Sequence, residues 1–310
     1  LMESGLAPGR FEAWVFSHSI VEASTAVKGT ALKRLLADPR HDKVIFLDPD
    51  VAVFGDLSPI AARLEERPIL LTPHDLTPIR TGDSGGDYLQ AIRDHEIILL
   101  RHGVYNFGFF AVADQPEGRR FAEWWADRLT HFCIDEVSEG LFTDQRWGDL
   151  VPVFFPDTEI LTDPGYNVAA WNLIHRKVSG SVENGLEVNG TPLRFYHFTG
   201  FDSGAHTTVN KAYGSSQTAV APLLDWYEEA CRAAESGPMP AIWTERRSPW
   251  PSAVSSDIIP MSKRPSKIRS RLLPIRPSRT GIGIMSARRE CRNYDVQTAY
   301  CQDFAVTAGR

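Results

Sequence analysis

The sequence predicts an α/β fold, a mostly parallel sheet covered by helices on both faces, on three observations. Short apolar runs, Lys43 to Leu47 (KVIFL), Ile69 to Pro73 (ILLTP) and Phe107 to Val112 (FGFFAV), have strand length and composition. Longer stretches of helical periodicity separate them in the order of a layered α/β domain. The first run ends in two carboxylates, Asp48 and Asp50, where open α/β sheets present polar groups to ligands.

Taken in order, Ser17 to Leu36 reads as a helix, with Ser24, Thr25 and Gly29 weakening its first half. The turn Asp38-Pro39-Arg40-His41-Asp42 feeds the Val44-Ile45-Phe46-Leu47 strand, which is apolar on both faces and therefore expected in the sheet centre. Asp83 to Gly86 is a loop and Tyr88 to Asp94 a helical turn or two. Glu117 to Phe132 is a helix whose stripe, Phe121, Trp124, Trp125 and Leu129, repeats at three-and-four spacing. Val182 to Phe198 reads as a hairpin: Leu186-Glu187-Val188 and Leu193-Arg194-Phe195 flank Asn189-Gly190, a strong turn signal. Ala219 to Ala234 is an amphipathic helix ending before Gly237-Pro238. Residues 246–310, rich in Pro, Ser and Arg without periodicity, are expected to be disordered, leaving residues 1–245 as the folded domain.

Charge divides the same way. Residues 246–310 carry 13 Lys or Arg against 4 Asp or Glu, and residues 1–245 carry 20 against 35. An acidic body is a poor binder of nucleic acid by charge alone, so no specific nucleic acid is expected. Cys133, Cys231, Cys291 and Cys301 have no metal-ligand spacing and read as free thiols of a reducing compartment. No apolar run is long enough to span a membrane and no signal peptide is visible. A cytoplasmic location is expected; the basic end could meet an anionic membrane surface or nucleic acid, or be incidental disorder, the favoured reading.

Asp48 and Asp50 alternate on an extended backbone and so point to one side, where a hard divalent cation relieves their repulsion. A pair of turn aspartates around Pro49 is the plainer alternative. His197, in Tyr196-His197-Phe198-Thr199-Gly200, is either a packed histidine or, if the fold returns it to the aspartates, a third ligand for Mn²⁺ or Mg²⁺ carrying a diphosphate. Lys28 is a candidate phosphate cation or a solvated helix lysine. Asn106 ahead of the Phe107 strand could hydrogen-bond a sugar hydroxyl or fix a loop, and Asp144 and Gln145 put a carboxylate and an amide near a helix start, where Asp144 would otherwise be a helix-capping or solvent-facing acid. Trp171 could stack on a sugar face or fill the core, and His206 is a weaker candidate.

In order, the motifs Asp48-Pro49-Asp50, Tyr105-Asn106-Phe107-Gly108, Asp144-Gln145 and His197-Phe198-Thr199-Gly200 resemble the GT-A glycosyltransferases. The branch is the glycogenin and bacterial galactosyltransferase-like (family 8-like) one, and the resemblance covers roughly residues 17–202. It implies a Rossmann-like mixed sheet flanked by helices, lacking the first strand-helix unit that binds the nucleotide base. It also implies that Asp48, Asp50 and His197 hold Mn²⁺ or Mg²⁺ with the donor diphosphate, and that Lys28 and Asn167 help bind the donor. Asn106, Asp144 and Gln145 fall at the reacting centre. The family's histidine motif continues to a lysine that grips the diphosphate, whereas this chain reads Gly200-Phe201-Asp202-Ser203-Gly204-Ala205. The implied activity is transfer of a hexose from a nucleoside diphosphate sugar, a UDP-sugar favoured, to a hydroxyl acceptor with retention at the anomeric carbon. A metal-dependent nucleotidyltransferase and a non-catalytic sugar-binding module are the alternatives. Loop residues 78–86 are the expected determinants of the acceptor.

Overall fold

The computed structural model describes residues 10–83, 87–201, 214, 217–235 and 305–306. Helix α1 (Arg10–Phe16), which the sequence reading did not anticipate, precedes α2 (Ile20–Ala37). Ser19 caps α2 through a capping box with Glu22, whose other carboxylate oxygen accepts the Asp135 N–H at 2.9 Å. Strand β1 (Lys43–Leu47) follows the expected turn, then β2 (Val51–Val53), α3 (Ser58–Arg63) and β3 (Ile69–Pro73). The chain continues through α4 (Tyr88–Ile92), a π turn over Arg93–Ile97, α5 (Ile98–His102), β4 (Tyr105–Ala113) and α6 (Pro116–Phe132). Beyond them lie the short β5 (Asp135–Glu136), β6 (Leu141–Phe142), α7 (Val151–Phe154), β7 (Thr158–Ile160) and β8 (Val168–Ala169). The last elements are β9 (Val178–Ser181), β10 (Gly185–Val188), β11 (Thr191–Pro192), β12 (Phe195–His197), α8 (Val220–Glu235) and β13 (Ala305–Val306).

The fold is mixed α/β. The main sheet has the order β13-β1-β4-β3-β7, and β4 runs antiparallel to both its neighbours while β3 and β7 are parallel. β13 is antiparallel to β1 as well, so among the described strands of this sheet only the β3–β7 pairing is parallel and the expected mostly parallel arrangement is corrected. β4 also takes the central place assigned to β1: from Asn106 to Ala113 every β4 residue is buried, whereas β1 alternates, with only Val44 and Phe46 buried. Reversal of β4 has a functional consequence, because it sets the start of β4 beside the end of β1. Asp48 donates its backbone N–H to Gly108 O at 2.8 Å.

One face of the sheet is covered by α2 and α6, with Leu32, Phe46, Phe110, Phe121 and Trp125 at the core. The helices approach closely at Gly29, where a Cβ would lie 2.7 Å from the Ala126 backbone. The other face packs Leu70, Phe109 and Ala111 on Ile60, Leu64 and Phe195. A second sheet, β2-β12-β8, lies beyond the end of β1. The third, β11-β10-β9, contains the expected Asn189-Gly190 turn, both residues with left-handed φ (51° and 80°). Its second arm is Thr191–Pro192 rather than Leu193 to Phe195: the Leu193 N–H still donates to Leu186 O at 2.8 Å, but the Arg194 N–H turns to Gly165 O and Phe195 pairs in the β12 sheet instead.

The chain divides into two compact units, residues 1–227 with 298–310, and residues 228–297. Of the second, only the end of α8 is described. The expected boundary at 245/246 lies outside the described residues, as do Cys291, Cys301 and His206; of the end expected to be disordered only Ala305–Val306 is described, and there the expectation is corrected, because these residues pair with Phe46 and Leu47 of β1. Cys133 and Cys231 are free thiols, and burial pushes the Cys133 thiol well up from its ordinary pKa. Among the described residues no helix is long and apolar enough to cross a membrane.

Candidate functional site

At the carboxyl end of β1 the chain leaves the main sheet through Asp48-Pro49-Asp50 and enters β2 of the second sheet. Both ends of this step are pinned. The Val51 N–H donates to Asp48 O at 3.0 Å, and the Phe198 N–H to Asp50 O at 2.8 Å. The β2–β12 register opposes Val51 to His197, so the imidazole lands beside the aspartates. One ligand atom from each of Asp48, Asp50 and His197 lies within 4.8 Å of the others. Two carboxylate oxygens and an imidazole nitrogen form a donor set suited to Mn²⁺ or Mg²⁺.

His197 is 2% exposed and its orientation is held from behind. Its Nδ1 lies 3.3 Å from Asn167 Oδ1, which accepts the Nδ1–H, and its Nε2 faces Asp50 Oδ1 at 3.1 Å. A neutral ring held in this tautomer would turn its Nε2 lone pair toward the aspartates. Burial acts to lower the pKa of His197, but the charge and hydrogen bond of Asp50, with Asp48 behind, hold it above 6.5. The same pair holds Asp50 below its ordinary value against the effect of burial. Asp48 moves the other way, because burial outweighs the attraction of Lys28 and His197.

Lys28, from the middle of α2, bridges two carboxylates: its Nζ lies 2.9 Å from Asp48 Oδ1 and 3.0 Å from Asp144 Oδ2. It also donates to Phe107 O at 3.4 Å. The ammonium is buried, and those carboxylates raise its pKa despite desolvation. Two of its N–H groups donate inside the protein and its charge faces Asp144 as well, which makes Lys28 a holder of Asp48 and Asp144. Asp144 Oδ2 makes no directional hydrogen bond among the described residues, so this pair rests on proximity of charge. Three carboxylates and one ammonium thus meet here, an excess of negative charge that a divalent cation would balance.

The expected amides form the floor. Asn106 Oδ1 accepts from the Gly108 N–H and from Asn167 Nδ2, each at 3.0 Å. Asn167 Nδ2 also donates to Thr72 Oγ1 at 2.9 Å, and its backbone is left-handed with φ 50°. Gln145 Oε1 lies 3.4 Å from Asn106 Nδ2, and Gln145 Nε2 donates to His102 O at 3.0 Å. The β3–β4 register shifts between Leu71 and Pro73, an irregularity that re-aims side chains where β4 begins. Trp171 sets its ring edge-to-face on His197 at 5.3 Å between centroids, so it packs the imidazole.

Sequence reasoning missed His74, Asn172 and Gly108. His74 Nε2 meets Asn106 Nδ2 at 3.2 Å, and burial pulls its pKa down to about 4, so it is neutral and can accept. Asn172 Nδ2 donates to His74 O and Asn167 O at 3.1 Å each. Neither carries a local motif. Gly108 did stand in a quoted motif, but its role appears only in three dimensions: a Cβ there would lie 2.3 Å from His197 Cε1.

Among curated proteins the chain is 26% identical over 197 residues to the uncharacterized protein YfnF of Bacillus subtilis (strain 168). It is 27% identical over 157 residues to the uncharacterized protein YfnD of the same organism. These matches take in 63% and 50% of this chain, and 61% and 45% of the respective relatives, so the chain spans less than two thirds of their length. No family model matches the chain, and no solved structure gives a significant match.

Proposed function

We propose that this chain is a metal-dependent glycosyltransferase of the GT-A type, transferring a hexose from a nucleoside diphosphate sugar to a hydroxyl acceptor with retention of configuration. The supporting observation is the meeting of Asp48, Asp50 and His197 at the carboxyl end of β1. In the transfer, the bond between the anomeric carbon and the diphosphate oxygen breaks, a bond from that carbon to the acceptor oxygen forms, and the acceptor's hydroxyl proton passes to the departing diphosphate. Mn²⁺ or Mg²⁺, when bound, neutralises the negative charge that develops on the departing diphosphate.

The chain's own residues prepare that event. Asp48 and Asp50 supply hard oxygen ligands, and Asn167 fixes the His197 ring so that Nε2 completes the set. Lys28 keeps Asp48 and Asp144 in register, so that Asp144 stands beside the diphosphate ligands where it can orient a sugar hydroxyl. Asn106 and Gln145 hold the floor rigid beneath the reacting carbon.

The test is a thermal-shift titration with UDP and GDP, each with and without Mn²⁺, on the chain and on Asp50→Asn. A ligand that binds only the native state at 100 times its Kd stabilises by about 2.7 kcal/mol. Manganese-dependent stabilisation by one nucleotide, absent in the variant, is the expected result. Equal shifts in both proteins, or none with either nucleotide, would overturn the reading.

A further inference from the structure

Strand β1 is apolar on both faces, yet β4 pairs along only one of its edges over its whole length. Val44 and Phe46 are buried in the core beneath α2 and α6, and Ile45 and Leu47 pack half-buried against the opposite core. On the β4 side the backbone is committed: the Asp114 N–H donates to Asp42 O at 2.7 Å and the Asp48 N–H to Gly108 O at 2.8 Å. Bonding alternates along an antiparallel strand, so the even-numbered residues 42–48 face β4. The N–H and C=O groups of Lys43, Ile45 and Leu47 therefore point to the far edge. Such a row of backbone groups is a template for a further strand. At the other end of the sheet β7 is guarded, because it has three residues and its middle one, Glu159, carries a charge paired with Arg63. β1 has five residues, and its only charge, Lys43, lies at the start.

On that far edge lies the end of the chain itself. Ala305 opposes Leu47 and Val306 opposes Phe46, antiparallel. Since Leu47 faces outward and Phe46 faces β4, Leu47 and Ala305 form the hydrogen-bonded pair and Phe46 and Val306 the other kind. The chain leaves the first compact unit after Tyr227 and belongs to it again from Thr298. The same register, carried on, sets Thr307 opposite Ile45, Gly309 opposite Lys43 and Arg310 opposite Asp42, whose carboxylate is 85% exposed. Phe304 to Gly309 contains neither charge nor proline, and Phe, Val and Thr suit a strand. Arg310 then brings a positive charge to the point where Asp42 opens β1.

We infer that the outer edge of β1 is a strand-acceptor site whose occupant is the carboxyl-terminal segment 305–309 of this chain, lengthening β13 along β1 as far as Lys43. Main-chain hydrogen bonds supply the affinity in strand addition of this kind. A second copy of the chain would have to displace Ala305–Val306 to reach the same edge. The pairing starts at Leu47, one residue before Asp48, so it also steadies the strand end from which that carboxylate is presented. It uses backbone groups alone and is independent of the function proposed above.

The test is amide hydrogen exchange, read by NMR on the full chain, on Ala305→Pro and on Val306→Pro. Proline at 305 removes the N–H that bonds Leu47 O, whereas the N–H lost at 306 points away from β1. The Leu47 and Ile45 amides should exchange about tenfold faster or more in Ala305→Pro than in the parent. In Val306→Pro they should stay within about threefold of the parent. The Asp48 amide, bonded to Gly108 O on the other side, should be unchanged in all three and reports that the sheet is folded. Equal exchange of Leu47 in the parent and Ala305→Pro, or equal acceleration by both prolines, would overturn the inference. Protection of Leu47 that is lost on tenfold dilution of the parent would put a second copy on the edge and overturn it as well.

Discussion

Gly108→Ala should disable the metal-ligand group without removing a ligand. A Cβ at this position would lie 2.3 Å from His197 Cε1, 2.7 Å from His197 Nδ1 and 2.8 Å from Asn106 Oδ1. Ordinary contact begins at 3.4 Å, so the imidazole must retreat by about an ångström. It has nowhere to go cheaply, being packed on Trp171 and bonded to Asp50 and Asn167. Overpacking of this kind costs about 1–3 kcal/mol. Loss of ligand orientation by disturbing outer contacts typically weakens metal binding about 10–100-fold. The assay is Mn²⁺ titration followed by electron paramagnetic resonance, alongside urea unfolding of the same samples. A variant that binds Mn²⁺ within twofold of the parent and unfolds at the same urea concentration would refute the reasoning, since His197 would then not be seated against Gly108.

Lys28→Met should destabilise the chain by about 3–5 kcal/mol in urea unfolding, the usual cost of removing one partner of a buried ion pair. Asp48, already raised by burial, would then be raised further in the folded state without its ammonium, so the penalty should shrink as pH falls from 8 to 5. A loss under about 1 kcal/mol at both pH values would show that Lys28 does not neutralise them. His197, with its pKa held above 6.5, adds stability that is complete below 6.5 and lost as pH rises through the folded value. Metal binding requires the neutral ring, so Mn²⁺ affinity should run oppositely, falling about tenfold per pH unit below that folded value and levelling above it. Calorimetric titrations from pH 5.5 to 8.5 check this, and a flat profile would remove His197 from the ligand set.

Much of the framework was legible because apolar runs are local. Ile69–Pro73 and the α6 stripe appear where the pattern puts them, to within a residue. Strand direction was not legible: nothing within Phe107 to Val112 records that β4 runs against its neighbours, a choice made by the connections and the packing. The metal-ligand group divides similarly. Asp48 and Asp50 announce themselves by charge at a strand end, and only the β2–β12 register brings His197 to them. Trp171 was weighed as a stacking platform and is found against His197. Lys28 was weighed as a phosphate cation, and its ammonium is taken up by Asp48, Asp144 and a carbonyl. Periodicity cannot foresee such choices, because each depends on a neighbour distant in sequence.

The step from β1 through Asp48-Pro49-Asp50 into β2 also has a mechanical meaning. Asp48 is fastened to the main sheet by its bond to Gly108, and Asp50 to the second sheet by its bond from Phe198. The two carboxylates therefore stand on opposite banks of a seam, with only Pro49 between them in the chain. An ion gripped by both would act as a clasp, and any sliding of one sheet past the other would stretch its coordination. Unfolding through that seam would have to open the clasp first, so a bound ion should lengthen the lifetime of the native state even where it adds little to the sheets themselves.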